Sequence, residues 1–356
     1  MCVTRAQTCG TLDPMCHLQV FLAACALSAG GFVFGQSTPV AAPNKGQAPE
    51  KGQASPAAAP NKGQASPNKG QASEIFGTAM SAIASGDTVL KKPDGSVEAT
   101  YRYRLIEPRA ALMTDASARF PLVVFLHGSG ERGDDNARQL IHFAGNCASD
   151  NFQREHPCFV LAMQCPKDEV WSALDIKAVR DQGQNPHFAA EPTRVMRALM
   201  QAIAQVMATK AVDSNRVYLT GLSLGGFGAF DLAARKPELF AAVVPICGGG
   251  DPATAPSIAC IPFYIVHGSD DPIVPVAMSR TMNEAIAAAS NEAARADRPQ
   301  GDPNNPRPLS KRAPNPMYRE YDHIGHESWT PAYRFGDDGV LDWMFSQRKG
   351  KAAAKV

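Results

Sequence analysis

The chain has 356 residues, 44% of them hydrophobic, so it can bury the core of one large domain or two small ones. Its 35 Lys and Arg residues balance 34 Asp and Glu residues, for a formal net charge of +1. This balance argues against nucleic acid or an anionic membrane surface as a partner, and it says nothing about oligomeric state.

The N-terminal region carries an apolar stretch, Leu18–Gly35, followed at once by polar residues. We interpret residues 1–35 as a signal peptide cleaved after Gly35, which predicts a secreted or periplasmic protein. An alternative is that residues 22–25 (LAAC) form a lipobox, in which case Cys25 would be lipidated and would tether the protein to a membrane.

Residues 36–73 are of low complexity. The pentapeptide NKGQA recurs at positions 44, 61 and 68, with EKGQA at 50, among many Pro and Ala residues. Without apolar periodicity such a segment cannot pack, so we predict a flexible linker. We assign 74–348 to a catalytic domain and 349–356 to a disordered tail.

Within the domain, strands and helices alternate. Residues 97–106 alternate polar and apolar side chains, which predicts a half-exposed antiparallel strand near a sheet edge. Continuous apolar runs at 120–126 and 159–163 predict strands buried on both faces. Further strands are predicted at 216–220, 241–246, 262–266 and 317–321, and helices at 191–209, 226–235, 276–296 and 340–345. This order predicts the α/β class, with a mostly parallel sheet between two layers of helices.

Five cysteines lie in the domain, with spacings that fit no zinc motif. Either some of them form disulfides with one left over, or several are buried free thiols. The five are Cys147, Cys158, Cys165, Cys247 and Cys260.

Ser223 lies between two glycines in the sequence Gly221-Leu-Ser-Leu-Gly225, after a predicted strand and before a predicted helix. This is the pattern of a nucleophile elbow, a sharp turn that exposes a serine hydroxyl above a sheet. A serine hydroxyl needs a base to take its proton and a third group to hold that base.

The acid is predicted after the strand at 262–266, in the pattern His-Gly-x-x-Asp-x-x-Val-Pro. Asp271 fits the acidic position of that pattern, and Asp270 is its rival. The alternative without a catalytic role is that either aspartate caps the next helix or forms a turn.

The base is predicted in the loop after the last strand, where His326 follows a glycine and precedes Trp329. His323 is the rival. We expect Trp329 to pack beside the imidazole and line the substrate pocket, although ordinary core packing would also account for it. The order serine, aspartate, histidine along the chain is that of α/β-hydrolases.

A glycine-rich turn, HGSGERG at 127–133, follows the buried strand at 120–126. Acyl transfer requires two backbone N–H groups that face the developing oxyanion. We predict these from Leu224 and from Ser129, with Gly130 as the alternative to Ser129, and we place His127 and Gly130 in the substrate pocket. A phosphate cradle is disfavoured because no Gly-Lys-Ser/Thr sequence is present.

These motifs, together with Gln164-Cys165-Pro166 and Trp171, resemble the secreted esterase or "predicted peptidase" group of α/β-hydrolases. That group is similar to phospholipase/carboxylesterase and polyhydroxybutyrate-depolymerase/feruloyl-esterase enzymes, and the resemblance covers 95–346. It implies Ser223, Asp271 and His326 as the triad and Trp171 near the pocket rim. The chain departs from the group in its linker and in a Pro-rich loop at 297–316, which could reshape the cleft.

We therefore predict a serine esterase that needs no metal or cofactor and acts on small-molecule or polymer-linked esters, with extracellular carbohydrate- or polymer-linked esters favoured. One alternative is a serine peptidase of the prolyl-oligopeptidase type, since the same triad cleaves amides. Another is an inactive hydrolase fold that serves as a binding module, which the presence of all three triad residues disfavours.

Overall fold

A computed structural model describes residues 83–109, 113–174, 186–296 (backbone only from 294), 315–334 and 339–350. The predicted signal peptide, the alternative lipid anchor at Cys25, the linker and most of the 297–316 loop lie outside the described residues. Among those described, every helix is too short or too polar to cross a bilayer. The predicted tail falls outside them from 351, whereas the backbone N–H of Lys349 donates to Asn215 O.

Strands in the described part of the chain form one eight-stranded sheet. They are β1 (Ala84–Lys91), β2 (Val97–Ile106), β3 (Phe120–Leu126), β4 (Phe159–Met163), β5 (Val212–Leu222), β6 (Ala242–Ile246), β7 (Tyr264–Gly268) and β8 (Met317–Tyr321). Their order across the sheet is β1-β2-β4-β3-β5-β6-β7-β8. The pairs β1–β2 and β2–β4 are antiparallel, and the remaining pairs are parallel. The predicted α/β class with a mostly parallel sheet is confirmed.

Helices pack on both faces of this sheet. Those described are α1 (Asp150–Glu155), α2 (Arg194–Thr209), α3 (Leu224–Arg235), α4 (Ala255–Ile258), α5 (Ala277–Ala296), α6 (Trp329–Ala332) and α7 (Val340–Ser346). Leu122 and Val124 of β3 join a buried cluster with α2, α3 and α5, whereas Val123 and Phe125 join a cluster with α1, α6 and α7. Because helices cover both faces of β3, its sequence is an unbroken run of apolar residues.

The element boundaries follow local chemistry. β2, β3, β4 and β8 have the predicted bounds. α2 begins at Arg194 rather than at 191, because the Thr193 hydroxyl caps it by accepting a hydrogen bond from Met196 N. β1 has no counterpart in the predictions, and it makes β2 the second strand from the edge.

All five cysteines of the domain are free in the structure. Cys147, Cys158, Cys165 and Cys247 are buried, and Cys260 is exposed. Of the two alternatives, the structure therefore has buried free thiols and no disulfide among these five.

The motifs gather at one edge of the sheet. The glycine-rich turn follows β3, Ser223 follows β5, Asp271 follows β7 and His326 follows β8. Parallel strands place their carboxyl ends at the same edge, which is where α/β proteins bind ligands.

Candidate active site

Ser223 sits in the turn between β5 and α3. Its backbone has φ 52° and ψ −117°, a region that side-chain-bearing residues rarely adopt. Its N–H donates to Ile246 O at 2.9 Å, and its carbonyl accepts from Gly226 N at 2.8 Å, so bonds on both sides hold the strained turn. The residue is buried, with 8% of its surface exposed.

The elbow requires a glycine on either side of Ser223. A Cβ on Gly221 would lie 2.3 Å from Gly225 O, and one on Gly225 would lie 2.0 Å from Leu126 O. These contacts are with backbone, which cannot rotate away as a side chain can. The glycines of the motif are therefore steric requirements of packing β3, β5 and α3 this closely.

Ser223, His326 and Asp271 form a continuous hydrogen-bonded chain. His326 Nε2 lies 2.9 Å from Ser223 Oγ, and His326 Nδ1 lies 2.7 Å from Asp271 Oδ2. The side chain of Asp271 is fully buried, and that of His326 is 19% exposed. The arrangement gives the imidazole one nitrogen toward the hydroxyl and the other toward a carboxylate, as a base that activates a nucleophile requires.

Asp271 is held as a carboxylate. Burial opposes its ionisation, but hydrogen bonds from His326 and from the backbone N–H groups of Val274 and Ile273 outweigh that effect, so its pKa is below the usual value. The two N–H groups donate to Oδ1 at 2.9 and 2.8 Å. Oδ2, which accepts neither of these N–H groups, faces His326.

The rival residues lie together elsewhere. Asp270 Oδ2 lies 3.4 Å from His323 Nδ1, and the His323 side chain is 93% exposed. Asp270 Oδ1 accepts from Ser269 Oγ. Neither rival has a described hydrogen bond to Ser223, so the structure brings Asp271 and His326, and not Asp270 and His323, to the serine.

The two predicted oxyanion donors lie on adjoining turns. Leu224 is the first residue of α3, and Ser129 begins a 3₁₀ turn, Ser129–Glu131, just after β3. A Cβ on Gly128 would lie 2.7 Å from Leu222 Cδ1, so this turn packs directly on the elbow. First-turn N–H groups have no partner within their own helix, and neither N–H has another hydrogen bond among the described residues.

Contrary to the prediction from the sequence, His127 and Trp171 do not lie in the substrate pocket or at its rim. Both are fully buried, so neither lines a pocket open to substrate. His127 Nδ1–H donates to Gly128 O at 2.7 Å, and its Nε2 accepts from Cys165 N at 2.9 Å. Trp171 Nε1 donates to His127 O at 3.0 Å. These two residues brace the glycine-rich turn from beneath, because the backbone groups they satisfy lie inside the protein.

Burial of His127 makes folding stability depend on pH. Desolvation lowers its pKa from 6.5 to about 4. Below pH 6.5 the unfolded chain takes up a proton that the native protein cannot, so the free energy of unfolding falls as the pH drops toward 4, by up to about 3 kcal/mol. We expect His127→Gln to reduce this fall, measured by urea unfolding at about pH 7 and about pH 4.5; equal falls in both proteins would contradict the assignment.

Trp329, which is 8% exposed, and Gly130 each line a cavity. The ring of Trp329 is 5.2 Å from that of His326, edge to face, and 5.4 Å from that of His142. Gly130 is exposed and, with Ser129, lines a cavity of about 340 Å³. A second cavity of about 580 Å³ has Trp329 in its wall; polar residues dominate the rest of the lining, including His142, Asn146, Ser149, Asn151, Glu155 and Thr330.

Sequence reasoning assigned no role to His142 or His267, two side chains near the site. His142 and Glu131 face each other at 3.3 Å, and His267 reaches the Asp271 carboxylate at 3.2 Å. His267 lies in the same pattern that pointed to Asp271, so the motif contained the signal. His142 has no motif around it and is brought close only by tertiary packing.

One group of potential metal ligands occurs among the described residues. Donor atoms of Cys247, Asp271 and His326 lie within 4.8 Å of one another. Asp271 and His326 already bond to each other, and burial raises the pKa of the Cys247 thiol well above its usual value. A neutral thiol is a poor ligand, so we assign no metal to this group.

Comparison with known proteins identifies relatives of this chain. The phospholipase/carboxylesterase family model matches residues 109–306. A thermostable esterase of known structure is 32% identical, with a TM-score of 0.58, over 76% of this chain and 64% of that one. "Probable feruloyl esterase C" of Aspergillus terreus is 28% identical over 117 residues, which are 30% of this chain and 42% of that protein.

A shorter match is to poly(3-hydroxyalkanoate) depolymerase C of Paucimonas lemoignei, 40% identical over 52 residues, which are 15% of this chain and 13% of that protein. The chain thus covers less than two thirds of the length of each of these relatives.

Proposed function

Because the chain belongs to the phospholipase/carboxylesterase family and has the α/β-hydrolase fold, we propose that it is a serine hydrolase that cleaves carboxylic esters. The observation that carries this proposal is the hydrogen-bonded chain from Ser223 through His326 to Asp271. The strained backbone of Ser223 adds to it, since such strain is characteristic of a nucleophile elbow.

In the proposed reaction His326 Nε2 removes the Ser223 proton as Oγ attacks the ester carbonyl carbon. The carbonyl π electrons move to oxygen, and the N–H groups of Ser129 and Leu224 stabilise that oxyanion. Asp271 orients the imidazolium and stabilises its charge. Collapse of the tetrahedral intermediate breaks the bond to the alcohol, which leaves with the proton from His326. Water, deprotonated by the same imidazole, then releases the acid and restores Ser223.

The alcohol part of the substrate is proposed to be polar, as in a carbohydrate-linked ester. The cavity of about 580 Å³ that Trp329 lines offers amide, hydroxyl and carboxylate groups, which hydrogen-bond sugar hydroxyls. An aromatic side chain beside such groups also provides a face on which a sugar ring can pack. Similarity to a feruloyl esterase and a polyester depolymerase is in keeping with polymer-linked esters.

A set of substrates with one acyl group tests this proposal. We expect kcat/KM to be at least about 100-fold higher for an ester than for the matched anilide, because an amide carbonyl is less electrophilic than an ester carbonyl and its amine is the poorer leaving group. A sugar ester should exceed the methyl ester about 10-fold. Preferential hydrolysis of the anilide would indicate a peptidase, and absence of turnover on every substrate would indicate a binding module.

The site is proposed to act outside the cytoplasm, in a secreted, periplasmic or lipid-anchored protein. The apolar stretch Leu18–Gly35 followed by a low-complexity segment supports this. Mass spectrometry of the mature N-terminus distinguishes the forms: a start at Gln36 indicates a cleaved signal peptide, and a lipidated Cys25 indicates a membrane anchor. An unprocessed Met1 would contradict both.

A further inference from the structure

His267 is a second histidine that contacts the carboxylate of Asp271. It lies on β7 and is fully buried. Its Nε2 is 3.2 Å from Asp271 Oδ2, the same oxygen that His326 Nδ1 contacts at 2.7 Å. Two imidazoles therefore share one carboxylate oxygen, and only one of them faces the nucleophile.

The surroundings of His267 determine which ring nitrogen carries the proton. Nε2 lies 3.0 Å from Val274 O as well as near Asp271, and both neighbours can only accept, so Nε2 must be protonated. Nδ1 lies 2.7 Å from the Ser279 hydroxyl, which is also 2.9 Å from Gly248 O. Burial lowers the pKa of His267, which favours a neutral ring with its one proton on Nε2.

Other ionisable groups near this ring are accounted for. Glu320 on β8 pairs in register with His267, and its carboxylate is bound by Arg280 at 2.9 Å. Cys247 follows β6 close to Asp271 and His326, and burial keeps its thiol protonated. Asp271 is thus the charged group within hydrogen-bond reach of His267 among the described residues.

We propose that His267 is a positioning residue of the catalytic centre: its protonated Nε2, which donates to Val274 O at 3.0 Å, also lies 3.2 Å from Asp271 Oδ2, and the positive end of this N–H group holds that oxygen toward His326 and takes up part of its negative charge. This inference rests on the proposed function, in which His326 is the base. Oδ1 of Asp271 is held by two backbone N–H groups, so the Nε2–H group 3.2 Å from Oδ2 completes the restraint of the carboxylate. Without it, Oδ2 would be freer to turn and would attract the proton of His326 more strongly.

Three variants separate positioning from packing. His267→Phe keeps a ring but removes the donor, whereas His267→Gln keeps an N–H near the place of Nε2. Ser279→Ala is the matched control, because it disturbs the other side of the same ring and leaves the contact with Asp271. Each is measured by kcat, KM and the pH profile of kcat/KM, and by the protonation midpoint of His326 in ¹⁵N NMR titration.

We expect His267→Phe to lower kcat about 10-fold or more and to change KM by no more than about 2-fold. It should shift the acidic limb of the kcat/KM pH profile, and the protonation midpoint of His326, to higher pH by about 0.5–1 unit. His267→Gln should keep kcat within about 3-fold of the parent and leave both pH readouts unchanged. Ser279→Ala should likewise leave them unchanged. If His267→Phe does not fold, His267→Asn, whose amide is too short to reach Asp271, takes its place with the same expected shifts.

A folded His267→Phe or His267→Asn variant with the parental midpoint would overturn the proposal, whatever its kcat, because a packing defect alone does not retune His326. An equal shift in Ser279→Ala would overturn it as well. The NMR midpoint requires no turnover. A parent protein without ester hydrolysis would therefore refute the proposed function, while the His326 midpoint would still decide the role of His267.

Discussion

Replacing Ser223 by alanine is expected to abolish ester hydrolysis and leave the fold intact. The hydroxyl at 2.9 Å from His326 Nε2 is the one group at the elbow that can form an acyl-enzyme. Removal of a triad nucleophile lowers kcat by at least about 10⁴-fold, and what remains comes from oxyanion stabilisation and substrate binding. Initial rates on an aryl ester, measured for the parent and the variant at equal concentration, give this ratio.

Stability measurements provide the control for this variant. Ser223 keeps its turn through its backbone N–H and carbonyl, which alanine retains. The free energy of unfolding should therefore stay within about 1 kcal/mol of the parent value. A well-folded alanine variant with more than a tenth of the parental rate would refute Ser223 as the nucleophile.

Replacing Gly225 by alanine is expected to disrupt the elbow and the fold around it. The added Cβ would meet Leu126 O at 2.0 Å, Leu126 C at 2.5 Å and His127 O at 2.8 Å. To relieve this clash, α3 must move away from the carboxyl end of β3, a central strand, and this movement opens a buried contact. We expect a loss of at least about 3 kcal/mol in the free energy of unfolding, measured by urea denaturation.

Gly130→Ala is the matched control for that change. It makes the same substitution in the turn after β3, but a Cβ there meets nothing within 4 Å. Its free energy of unfolding should differ from the parent value by less than about 1 kcal/mol. Equal stability of the Gly225 and Gly130 variants would show that close packing does not explain the glycine at 225.

Much of the sheet was predictable because its central strands are covered on both sides. β3 and β4 are continuous apolar runs, and both have the predicted bounds. β1 was missed because Ala84–Lys91 contains Gly and Asp and lacks a clear alternation, and its strand conformation comes from pairing with β2. β5 begins at Val212 rather than at 216. The polar residues that follow Val212 lie at the exposed end of the strand, so they give no apolar signal in the sequence.

The order of the candidate site residues along the chain was predictable from the sequence. Which of their side chains are buried was less predictable. Motif spacing pointed to Ser223, Asp271 and His326, which the fold brings within hydrogen-bond distance. The same spacing could not tell that His127 and Trp171 lie beneath the glycine-rich turn. Position after a strand fixes the edge of the sheet on which a residue lies, whereas tertiary packing decides whether its side chain faces solvent or core.

Covalent labelling of Ser223 by a fluorophosphonate tests the central claim most directly. The reagent transfers its phosphonyl group to an activated serine and releases fluoride, so the adduct mass identifies the modified residue without knowledge of the natural ester. We predict one adduct per chain, located by tandem mass spectrometry on Ser223 and absent from the Ser223→Ala variant. An unlabelled parent protein, or the same adduct on another serine, would contradict the account.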